Sequence, residues 1–247
     1  MTFDVLIESV NVLSVLATAA LVILTTKPCR ASGVSYLLAI PAGFSLMTVA
    51  FAVQSLLPLI VEGPSTLASS IEAVWLLLQT YGVLFLAFAY ARRTRLRLIG
   101  ESTTANLLVA VLVTVAFLGV VLVSRAYGMV DAAPLLGQFL LRWVIVMTSV
   151  YLVSETLRNW SLTQKASQGI VTIAYVFFVI EQLGFILALA NLGGVPFFMA
   201  YEGRILGLFV LNTILILRIR KDDPLAVMKR LGLAAPVHAR ALEMQLR

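Results

Sequence analysis

Hydrophobic positions in this chain neither alternate, as in a half-buried strand, nor recur on one helical face, as in a soluble amphipathic helix. They run on without interruption for about 20 residues at a time, the length a helix needs to cross ~30 Å of hydrocarbon. Seven such runs stand out: 5–26, 34–61, 71–91, 104–124, 134–157, 168–190 and 197–217. Backbone polar groups in lipid must be satisfied within the segment itself, so the runs predict helices. The short alternating segments of a transmembrane barrel are absent from the sequence. Span two, 34–61, is longer than a crossing requires and predicts a tilt, a kink at Pro41 or an end near Pro58. Span four, "TANLLVAVLVTVAFLGVVLVS", is the purest lipid-facing stretch.

Composition agrees with this pattern: of 247 residues, 61% are hydrophobic and only 12% charged, far from the balance of a soluble domain. Charge then orients the chain. Lys27 and Arg30 follow span one, "ARRTRLR" follows span three, Arg158 and Lys165 follow span five, and Arg218, Arg220 and Lys221 follow span seven. All 18 Lys and Arg except Arg125, Arg142 and Arg204 fall on that side. The positive-inside rule therefore predicts an all-α polytopic protein of the cell membrane, with seven transmembrane helices, the amino terminus outside and the carboxyl terminus cytoplasmic. The basic balance is explained by topology and contact with anionic membrane lipid, and calls for no nucleic acid. Residues 1–217 form the transmembrane domain, and 218–247 a basic amphipathic tail that reads as two short helices. That tail lies on the inner leaflet or docks a protein partner.

Several chemistries are disfavoured. Cys29 is the only cysteine and His238, in the tail, the only histidine, so neither a disulfide within the chain nor a thiol or imidazole metal site is expected. The first span lacks the basic start and cleavage-type ending of a removable signal peptide. No phosphate-cradling loop or nucleophile motif occurs, and the expectation is a non-catalytic protein without a cofactor.

The polar residues inside the spans carry the functional signal. With ~1.5 Å of rise per residue, Asn11, Gln54, Gln79, Arg142, Glu181, Glu202 and Arg204 fall at one level in the outer half of the bilayer, on six of the seven spans. Charges in a span face the bundle interior or water and pair with one another. Glu202 and Arg204 stand about 200° apart around their helix and cannot neutralise each other. We therefore expect Arg142, Glu181, Glu202 and Arg204 at the centre of a buried layer, with Glu181 facing one arginine and Glu202 facing Arg142. Gln138 lies one turn from Arg142, and Glu72, Gln79, Gly82 and Tyr90 form a second inward stripe. Such a layer either binds a small polar ligand from outside or fixes helix assembly as an ion-pair network. The inner half offers Thr48, Ser149, Tyr151, Thr172, Tyr175 and Asn212 but no charge until Glu155, which argues against a pump or a channel.

Seven spans with an outside amino terminus is also the topology of microbial rhodopsins and G-protein-coupled receptors. Here 197–217 has no lysine for retinal, span three ends "FAYARR" without an acidic-Arg-aromatic triplet, and span seven has no Asn-Pro-x-x-Tyr. The stretches "GVSYLLAIPAGFSLMTVAF" and "WLLLQTYGVLFLAFAYARR" instead resemble the multi-span sensor regions of prokaryotic and archaeal histidine kinases, a resemblance that implies sensing and assigns no functional residue. Some 30 residues after span seven leave no room for an output domain, so signalling would pass to another chain. Spans three and seven also align without gaps, Gln79 on Arg204 and Gly82 on Gly207. That alignment is similar to the 3+1+3 repeats of SWEET-type sugar transporters and makes a small-solute carrier the alternative reading. An accessory subunit of a larger membrane complex is the third.

Overall fold

The computed structural model describes residues 3–60, 66–95, 132–164, 166–190 and 194–219. Helix α1 (Phe3–Ala31) leads through a short 3-10 turn (Ser35–Leu38) into α2 (Ala39–Ile60), followed by α3 (Thr66–Arg95), α4 (Ala132–Thr163), α5 (Ala166–Leu189) and α6 (Gly194–Ile219). No strand occurs among the described residues, and all six helices are long and apolar enough to cross a membrane. They correspond to spans one, two, three, five, six and seven. Span four, the basic stretch after span three and the tail beyond Ile219 lie outside the described residues.

The excess length of span two is absorbed at its start. Val34 and Tyr36 belong to the entry turn, and Pro41 sits in the first turn of α2, where a missing N–H costs no helical hydrogen bond. Before that turn, α1 closes on Gly33, whose φ of 65° is the left-handed conformation that ends helices, and its amide donates to the Arg30 carbonyl.

On α1 and α4 the buried face is more polar than the exposed one, the reverse of a soluble protein. On α1 the buried stripe is Asn11, Ser14, Thr18, Leu21, Thr25 and Cys29, while Leu13, Leu16 and Ile23 are exposed. On α4, Arg142, Ser149 and Thr156 share the buried face with Ile145 and Leu152, and Met147 and Leu157 point out. Apolar side chains facing outward and small polar ones facing inward is the solution a lipid solvent demands. The hydroxyls of Ser14, Thr18, Thr25, Thr80, Thr156 and Thr172 each donate to the carbonyl four residues back, so they need no partner on another helix.

Each helix packs on the next, α1 on α2 through α5 on α6, and α6 returns to α1, so the six close a ring. Two seams are parallel. Glu72 meets Gln138 and Trp75 meets Arg142 across α3 and α4, while Asn11 meets Arg204 and Ala17 meets Asn212 across α1 and α6. The closest approaches rest on glycine. A Cβ at Gly203 would stand 2.8 Å from the Phe177 carbonyl oxygen, and one at Gly82 2.8 Å from the Gly43 carbonyl oxygen, so α5–α6 and α2–α3 pack backbone to backbone there.

Candidate functional site: a polar layer inside the helix ring

Arg204 organises the layer. It sits on the inward face of α6 between Gly203 and Gly207, with none of its surface exposed. Its Nε donates to Glu181 Oε1 of α5 at 2.8 Å, and its Nη1 donates to Asn11 Oδ1 of α1 at 2.9 Å and to Gln54 Oε1 of α2 at 3.0 Å. Glu181, 1% exposed, also accepts from Gln79 Nε2 of α3 at 3.2 Å. One guanidinium thus ties α1, α2 and α5 to α6, and its carboxylate carries the tie to α3. The Arg204 plane is further held by aromatic faces, its Cζ lying 4.5 Å from the Phe51 ring centroid and 5.2 Å from that of Tyr201.

Arg142 of α4 is enclosed nearly as completely, at 4% exposed, but its surroundings differ. Its Nη1 donates to Gln182 Oε1 at 3.3 Å, and its Cζ lies 4.2 Å from the Phe185 ring centroid and 5.5 Å from that of Trp75. No ion pair reaches it among the described residues. Phe185 also lies 5.5 Å from Arg204 Cζ, so both guanidinium groups rest against one aromatic ring. Toward the α3 and α4 amino termini, Glu72 accepts from Gln138 Nε2 at 2.8 Å, a half-buried pair within electrostatic range of Arg142.

Of the residues singled out in the sequence, the structure brings Asn11, Gln54, Gln79, Glu181 and Arg204 into one connected network and places Arg142 beside it. Gln138 is not part of that network; it pairs with Glu72 a turn away. Glu202 corrects the expectation outright. It is exposed on the outer face of α6 and lines a cleft with Leu6, Ile7 and Val10 of α1. The two-residue step from Arg204 is the physical reason: only one of two side chains about 200° apart can face the interior, and Arg204 takes it. The expected Arg142–Glu202 pair is accordingly not formed. Gln182, Phe185, Trp75 and Tyr201 were not anticipated. Gln182 was detectable as the polar neighbour of Glu181, and Phe185 as the residue one turn from Glu181 on the same face.

Losing Glu202 changes the electrostatics. The enclosed layer contains two guanidinium groups and one carboxylate, Glu181, and carries excess positive charge. Its enclosed atoms without a hydrogen bond include the donors Arg142 Nε and Arg204 Nη2 and the acceptors Glu181 Oε2 and Gln79 Oε1. Buried charge without a close counter-ion is costly, and with its Nε unpaired and no ion pair among the described residues, Arg142 is less fully satisfied than Arg204 is at its Nε and Nη1. The chain matches no protein-family model, no curated protein and no solved structure.

Proposed function

We propose that this is a seven-span, receptor-like sensor or signalling component of the cell membrane, without catalysis of its own, in which the polar layer binds a small carboxylate entering from outside. The observation that carries the reading is how Arg142 is met: among the described residues it has no ion pair, only the Gln182 amide and the Phe185 and Trp75 faces at close range, with Glu181 and Glu72 further off. A carboxylate on Arg142 would supply the missing charge, and Trp75 and Phe185 would flank its apolar body. The seventh crossing is supported by direction. Because α3 and α4 run parallel, Arg95 and Ala132 lie at opposite ends of the ring, as a further crossing between them would require. The positive-inside rule supports an outer position for the α1 amino terminus and, with it, for the polar layer.

The carrier alternative draws less support. Two triple-helix bundles would press α1 on α3 and α4 on α6, whereas each described helix packs on its sequence neighbour and the ring closes through α1 and α6.

The test is thermal unfolding of the full chain in nanodiscs against acetate, benzoate, succinate and inorganic phosphate. A carboxylate should raise the midpoint saturably. Arg142→Gln should abolish that rise while increasing the ligand-free stability, because it removes an uncompensated charge. If no anion stabilises the protein and Arg142→Gln lowers the ligand-free midpoint, the layer only fastens helices and the reading falls.

A further inference from the structure

The structure assigns a second, independent site to the seam between α1 and α6. Leu6, Ile7 and Val10 of α1 and Phe198, Tyr201, Glu202, Ile205 and Leu206 of α6 line a cleft of about 370 Å³, near the lower end of the ~300–1,000 Å³ typical of small-molecule sites. Its lining is apolar apart from the Tyr201 hydroxyl and the Glu202 carboxylate, and it opens on the outer face of the ring. Glu202 makes no ion pair or hydrogen bond among the described residues.

Glu202 is five residues, ~8 Å, inside the apolar run 197–217 of α6, where a lipid-facing carboxylate is costly unless a cation meets it. We infer that the cleft binds an amphiphilic amine from the membrane, its ammonium on Glu202 and its single apolar chain running along Ile205 and Leu206. Charge selects the head group: the cleft presents a carboxylate and no cation among its lining residues. Size selects the body, because a cleft of this volume takes one chain, whereas a partner helix with its side chains is about 10 Å or more across. Phe198 and Tyr201 add aromatic surface to which an ammonium is attracted. Tyr201 is also the wall between this cleft and the interior, its ring 5.2 Å from Arg204 Cζ, so an occupant sits one side chain from the polar layer.

Binding of tetradecylamine, tetradecanol and tetradecanoic acid to the full chain in phosphatidylcholine nanodiscs, followed by native mass spectrometry, tests the assignment. The amine should be retained selectively, and Glu202→Gln should weaken it by roughly tenfold or more without affecting the alcohol. Leu206→Trp, which fills the cleft from its rim, should also weaken the amine, while Arg142→Gln should leave it bound, so this site and the carboxylate site stand or fall separately. Equal retention of all three amphiphiles, or amine binding indifferent to Glu202→Gln, overturns the assignment. So does cross-linking of Leu206→Cys in native membranes to a basic transmembrane helix of another protein, combined with no amine selectivity.

Discussion

Glu181 and Arg204 are each worth more as a pair than either is alone, because neither has water to fall back on. Removing one partner of an enclosed ion pair typically costs about 3–5 kcal/mol, most of it the penalty on the charge left behind. Glu181→Gln is therefore expected to destabilise the protein by about that amount, since Arg204 would keep only amide acceptors. Joining it to Arg204→Met should recover a large part of the loss. Unfolding of the two single variants and the double variant in one detergent measures the coupling; additive losses would contradict the pairing. At this scale the sequence was partly readable. The shared depth of Asn11, Gln54, Gln79, Glu181 and Arg204 follows from counting residues, whereas the inward or outward choice between Glu202 and Arg204 depends on helix rotation. Apolar residues all around each span leave that rotation unmarked. The glycines at 203 and 207 flank Arg204 and mark the packed face, and they were the available clue.

Among the elements, α5 and α6 form the tightest pair, and the reason is glycine spacing. Gly203 and Gly207 on α6 face the carbonyls of Phe177 and Ala174, and Gly184 on α5 faces that of Pro196. Gly203→Val would force the helices apart where Glu181 and Arg204 meet, and overpacking of this kind costs about 1–3 kcal/mol before any loss to the ion pair. The expected readout is a lowered unfolding midpoint greater than that of Gly194→Val, where a Cβ meets nothing within 4 Å. Equal effects would mean the close approach is unimportant. Six of the seven expected spans were legible as helices because lipid imposes a length rule, although α1, α3 and α4 extend several residues past the apolar runs; the 3-10 entry to α2 was not, since Ser35–Leu38 continues into the apolar run without a break signal.

For the whole molecule, the two parallel seams fix which ends share a side. Thr66 and Ala132 begin α3 and α4 at one end of the ring, and Gly33 and Gln164 follow α1 and α4 at the other. In a Cys29→Ser background, single cysteines at 66 and 132 should react with an impermeant maleimide added to intact cells, and those at 33 and 164 only after permeabilisation. Labelling of 66 and 132 from opposite sides would refute the parallel seam. Ring order itself was not legible: apolar spans carry little information about their neighbours, and the gap-free alignment of spans three and seven pointed to paired bundles instead. The closing seam also dictates a sequence of events during synthesis. Glu181 leaves the ribosome 23 residues before Arg204, its ion-pair partner, so α5 reaches the translocon with the Gln79 amide as the acid's only earlier hydrogen-bond partner among the described residues and with Arg142 at longer electrostatic range. A nascent polypeptide stopped ahead of α6 would therefore carry Glu181 into the bilayer without the guanidinium that ties four of the other helices together.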